Sequence, residues 1–82
     1  MESKQPLTSR AKLIKAEINL LGAQYIGDGR VAVSYEFPYR AKYGERRWAK
    51  QVISSDASLL NDDRLCTSIY TIVQALRAEL EQ

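Results

Sequence analysis

Eighty-two residues, 45% apolar and 27% charged with both signs mixed to a net charge of +2, describe one small globular domain rather than a disordered chain. No run of about eighteen apolar residues offers a membrane-spanning helix, and the opening MESKQPLTSR lacks the apolar core of a signal peptide, so a cytoplasmic location is the expectation. The absence of histidine, with Cys66 the single cysteine, excludes an intrachain disulfide, the usual zinc, copper and haem ligand sets, and a histidine general base.

Residues 1–7 are polar, without pattern, and read as a flexible tail ahead of a single domain over 8–82. Thr8 or Ser9 can cap a helix, because a hydroxyl there accepts from an unpaired N–H of the first turn. Ala11, Ile14, Ile18 and Leu21 recur at helical spacing, with Leu13 and Leu20 beside them, and Gly22 suits the left-handed position that ends a helix. Asp28-Gly29 is a tight-turn pair, so 23–27 and 30–39 are expected to form a hairpin. In the second of these strands Val31, Val33, Tyr35, Phe37 and Tyr39 point one way and Ala32, Ser34, Glu36 and Pro38 the other. Pro38 donates no hydrogen bond and is expected to end the pairing or mark a bulge.

A turn over Ala41-Lys42-Tyr43-Gly44 then leads into a third strand over about 45–54. With those four residues as the loop, Arg40 opposes Glu45, Phe37 opposes Trp48 and Val33 opposes Val52. That register stacks Phe37 and Trp48 in the core. After a linker, in which Ala57–Leu60 can form a short helical turn, Asn61 is the expected cap of a last helix. Asp62 and Asp63 put negative charge in its first turn, and Leu65, Ile69, Ile72, Val73, Leu76 and Leu80 form its apolar stripe. The expected fold is α+β, ordered α-β-β-β-α: a three-stranded antiparallel meander with both helices on one face.

No Gly-rich phosphate loop, carboxylate constellation or metal-ligand cluster is present, so no enzyme, catalytic residue, metal or cofactor is expected. Asp62 and Asp63 are better explained by the helix start, and Cys66 by a place at the edge of the apolar stripe. The informative stretch is YEFPYRAKYGERRWAK, residues 35–50, where the aromatics concentrate and where the segment 40–50 sets five basic groups against Glu45 alone. Residues 56–82 are acidic by contrast, with Arg64 and Arg77 against five carboxylates. The expected partner-binding residues are Tyr39, Arg40, Lys42, Tyr43, Arg46, Arg47 and Lys50. Aromatics interleaved with arginine suit an anchored protein interface, or bases and phosphates, or only a solvated hairpin tip. The weak overall basicity favours a macromolecular partner that is a protein, with nucleic acid as the alternative. Cys66, Tyr70, Val73 and Arg77 widen the last helix's stripe and offer either a contact with the first helix or a homodimer seam.

The element order resembles that of the double-stranded-RNA-binding domain, in which a lysine-rich start of the second helix grips phosphates. Asn61-Asp62-Asp63 stand at the matching place and would repel phosphate, so the resemblance implies the order of elements and not the activity.

Overall fold

A computed structural model describes residues 9–81; the expected tail and the expected Thr8 cap lie outside them. The elements are α1 (Ser9–Lys15), β1 (Asn19–Gly27), β2 (Arg30–Arg40), β3 (Arg46–Asp56), a 3-10 turn (Ala57–Leu59) and α2 (Asp63–Leu80). The strands form an antiparallel meander with β2 in the centre, and the order is α-β-β-β-α as expected. No helix among the described residues is long and apolar enough to cross a membrane.

The first helix stops earlier than its apolar spacing suggests. Glu17, not Gly22, takes the left-handed conformation, with φ 64°. Ile18 N–H then donates to Leu13 O at 2.9 Å and Glu17 N–H to Ile14 O at 3.0 Å, the paired bonds of a Schellman cap. The apolar contact that accompanies this cap is between Leu13 and Ile18, both buried in the core, while Ile14 turns outward and is 71% exposed. Releasing 19–21 from the expected helix, and Gly22 from its end, lengthens β1 to nine residues, and Gly22 becomes a strand residue opposite Ser34. The gain is a longer backbone ladder against β2.

The first hairpin forms as the sequence demands. Gly27 pairs with Arg30 around Asp28-Gly29, whose φ values of 54° and 70° are both positive, as this two-residue turn requires. The second hairpin differs by one residue. Gly44 N–H donates to Ala41 O at 2.9 Å, Ala41 N–H to Glu45 O at 2.7 Å, and Gly44 has φ 88°. This is a three-residue loop closed by a glycine bulge, and the bulge adds one residue to β3. Arg40 therefore opposes Arg46, Phe37 opposes Ala49 and Val33 opposes Ile53. Because strand side chains alternate, the one-residue shift moves the whole of β3 to the other face. Trp48 leaves the core, pairs with Pro38 and is 48% exposed; Val52 likewise faces out.

Pro38 neither ends the β2–β3 ladder nor bulges it. Its missing donor falls on the other side of β2, where pairing with β1 has already stopped at Glu36. The core lies on one face only. Val31, Val33, Tyr35 and Phe37 of β2 are covered by Leu13 and Ile18 from the first helix and its cap and by Leu65, Ile69 and Val73 of α2. The second helix starts one residue later than expected: Asp62, not Asn61, caps it by accepting from Arg64 N–H at 2.8 Å. The 3-10 turn before it is capped in the same way, by Asp56 accepting from Ser58 N–H at 3.0 Å.

Within this core the Tyr35 hydroxyl is buried and has no hydrogen-bond partner among the described residues. Burial also raises its pKa above the ordinary 10.0. Three melts test these assignments. Phe37→Ala is expected to cost about 3–5 kcal/mol, most of the stability of so small a domain, whereas Trp48→Ala should leave the midpoint nearly unchanged. Tyr35→Phe should be neutral or stabilising, since it removes an unpaired buried hydroxyl. The phenol's contribution is sign-definite: the unfolded chain ionises first, so native stability holds below pH 10.0 and declines as pH rises above it. That alkaline decline should shrink in Tyr35→Phe, and an equal decline in both proteins would contradict the burial.

Candidate functional site

With both helices on one side of the sheet, the other side is uncovered. The even-numbered residues of β2 and β3 populate it: Arg30, Ala32, Ser34, Glu36 and Arg40 opposite Asp56, Ser54, Val52, Lys50 and Arg46, with Pro38 opposite Trp48. From β1, Asn19, Gly22 and Gln24 share this face. Gly22, Ala32 and Ser34 are small, and they leave a groove of about 760 Å³ between Leu21 on one side and Lys50 and Val52 on the other. A Cβ built on Gly22 would meet nothing within 4 Å, so the space above this position is open and a larger side chain can enter it.

The register shift divides the expected basic cluster. Arg46 and Lys50 lie on the open face on either side of Trp48, and the Arg46 guanidinium sits 5.4 Å from the Trp48 ring centroid. Arg46 also reaches Glu17, Nη2 to Oε2 at 2.6 Å, with both side chains at least half exposed, so the pair orients Arg46 more than it stabilises the fold. Arg40 folds back on the turn and donates through Nη1 to Gly44 O at 2.8 Å. Arg47 and Tyr39 oppose each other on the helix side, where Arg47 pairs with Glu45 at 3.1 Å. Lys42 and Tyr43 form the tip; Tyr43 is 85% exposed and the Lys42 ammonium lies 6.0 Å from its ring centroid. What the structure brings together is thus Arg46, Trp48, Lys50 and Val52, beside the Tyr43 tip. Trp48, Val52, Leu21 and Gly22 were not expected in a site. The sign that could have found them is Gly44, which closes a bulged loop as readily as a four-residue one.

The expected seam on α2 is largely spent within the chain. Val73 is 0% exposed and belongs to the core, so it has no surface to offer a second copy. Cys66 and Tyr70 pack against that core. Tyr70 also faces α1, with the Lys12 ammonium 6.0 Å from its ring centroid. Arg77 joins three elements: Nε donates to Pro38 O at 2.8 Å, Nη2 donates to Ala16 O at 2.6 Å, and the guanidinium lies 5.8 Å from the Phe37 centroid.

The start of α2 is unfavourable to anions. The Asp62 carboxylate already takes the Arg64 N–H of the first turn, and the bond from the Arg64 side chain, then that from its backbone, holds the Asp62 carboxyl below the ordinary carboxylate range. Asp63 adds a second negative charge beside it. Among the described residues no group of three His, Cys, Asp or Glu side chains could hold a metal ion. No family model, curated protein or solved structure matches the chain.

Arg77→Ala should lower stability by about 1–3 kcal/mol, because it leaves two half-buried carbonyls without their donor. Arg77→Lys should recover little of it, since one ammonium cannot reproduce the planar fork. Urea unfolding of the three proteins checks this; full recovery by lysine would mean that the charge alone matters.

Proposed function

We propose that the chain is a non-enzymatic interaction module that binds an acidic protein surface through the open sheet face and the adjoining hairpin tip. The carrying observation is Trp48, which stands half exposed between Arg46 and Lys50 on a face that no helix covers. A tryptophan beside arginine, with Val52 next to it and a groove alongside, has the composition of an interface hot spot: an apolar anchor rimmed by charge. The rim is predominantly basic, so the complementary partner surface carries carboxylates.

Glu36 favours protein over nucleic acid. It stands mid-face opposite Lys50 and accepts from Asn19 Nδ2 at 3.1 Å, which puts a carboxylate where a phosphate backbone would lie. The alternative retains one specific observation, that the exposed Tyr43 and Trp48 are both flanked by basic groups and could stack on bases.

Two measurements decide between them. Trp48→Ala and Gly22→Thr should each abolish capture of a protein partner from nuclease-treated lysate while melting no lower than the parent, because Trp48 is outside the core and threonine suits a strand better than glycine. Labelled oligonucleotides, single- and double-stranded, should show no micromolar binding by fluorescence anisotropy at about 150 mM salt. Micromolar oligonucleotide binding that disappears in Lys50→Glu would instead establish the nucleic-acid reading.

A further inference from the structure

We infer that a second copy of this chain pairs with the outer edge of β3, antiparallel and centred on Gln51, to form one continuous sheet through both copies. The inference is independent of what the open face binds.

The backbone shows which groups are available. Glu45 O accepts from Ala41 N–H and Ala57 N–H donates to Gly29 O, so the odd-numbered groups of β3 turn toward β2. The even-numbered groups, of Arg46, Trp48, Lys50, Val52 and Ser54, point away from the sheet. No hydrogen bond among the described residues reaches their N–H or C=O groups. The exposed edge is eleven residues long, contains no proline, and keeps an unbroken register from Arg46 to Asp56. Natural sheets protect long edges with bulges, proline or charged side chains, and of these β3 carries only the charges, at Arg46, Arg47, Lys50 and Asp56. Here the opposite edge strand, β1, carries two register shifts, and β3 carries none.

The sequence of β3 selects a register. Full overlap of two antiparallel copies places Gln51 on the two-fold axis and pairs every outward-facing group. Arg46 then opposes Asp56 of the second copy at both ends, Trp48 opposes Ser54, and Lys50 opposes Val52, so no like charges face each other. Sliding by two residues one way sets Lys50 against Lys50; sliding the other way strips Arg46 of its acid. A slip by one residue mismatches the faces. Both charged ends have capacity to spare. Asp56 uses Oδ1 on Ser58, and Arg46 uses Nη2 on Glu17, leaving a carboxylate oxygen and further guanidinium donors.

Sedimentation velocity over a concentration series is expected to show a monomer converting to a dimer. Val52→Pro removes an outward N–H that has no partner within the chain, so it should leave the circular dichroism unchanged and abolish the dimer. In a Cys66→Ala background, Gln51→Cys places two thiols at a non-hydrogen-bonded antiparallel pair with Cα atoms about 4.5 Å apart. That spacing lies within the about 4.4–6.8 Å a disulfide spans, so oxidised glutathione should give a disulfide-linked dimer on a non-reducing gel. Ser54→Cys in the same background, facing Trp48, should stay monomeric. A concentration-independent monomer, a folded Val52→Pro that still dimerises, or failure of Gln51→Cys to cross-link would each overturn the inference. If Val52→Pro does not fold, the cross-link alone decides.

Discussion

One backbone angle governs what this domain shows to solvent. The left-handed Gly44 inserts a bulge at the foot of β3, and every side chain of that strand takes its face from it. Ala49 and Ile53 face the helices, while Trp48, Lys50 and Val52 face the open side. The core accepts this because the helix layer is centred on β2 and needs only small or medium side chains from the edge strand. An indole on that side would have to share the space already held by Tyr35 and Phe37, whose rings stack at 6.4 Å. The open face inherits the large aromatic, and with it the basic residues on either side.

Where β1 departs, the sheet has a second weak point. Beyond Glu36 the central strand has no neighbour on that side, yet its backbone still presents Pro38 O and Arg40 N–H there. The helix completes the ladder with side chains: Arg77 donates to Pro38 O, and Glu81 accepts from Arg40 N–H at 2.8 Å. Arg77 also satisfies Ala16 O at the end of α1. A proline is tolerated in a central strand only because this stretch behaves as an edge, and the edge is closed by a helix instead of a strand.

The order of elements was legible because the strongest patterns are local. Alternation from Val31 to Phe37 has no helical reading, Asp28-Gly29 has one favoured turn, and the stripe of α2 spans several turns. The end of α1 was not legible, since Ile14, Ile18 and Leu21 keep helical spacing and Gly22 is the better left-handed residue. Tertiary burial of Leu13 and Ile18 overrode both preferences and forced Glu17 into that conformation. The site was half legible for a related reason. The residues of 35–50 were identifiable by chemistry, but their division between two faces hangs on a single residue of register, and a Phe37–Trp48 pair is as good a cross-strand match as any. Pairing preference loses there to turn geometry, which is fixed by hydrogen bonds within five residues.

The division of the core between the sheet and α2 also sets an order of events during synthesis. The two hairpins join neighbouring segments and can form early, since their contacts close short loops. Leu65, Ile69 and Val73 belong to the element made after all three strands, and they cover Tyr35 and Phe37. Until that segment has left the ribosome, the nascent sheet presents its apolar face and its long edge together. The interval before α2 docks is therefore when exposed apolar surface and an unpaired strand edge most favour aggregation.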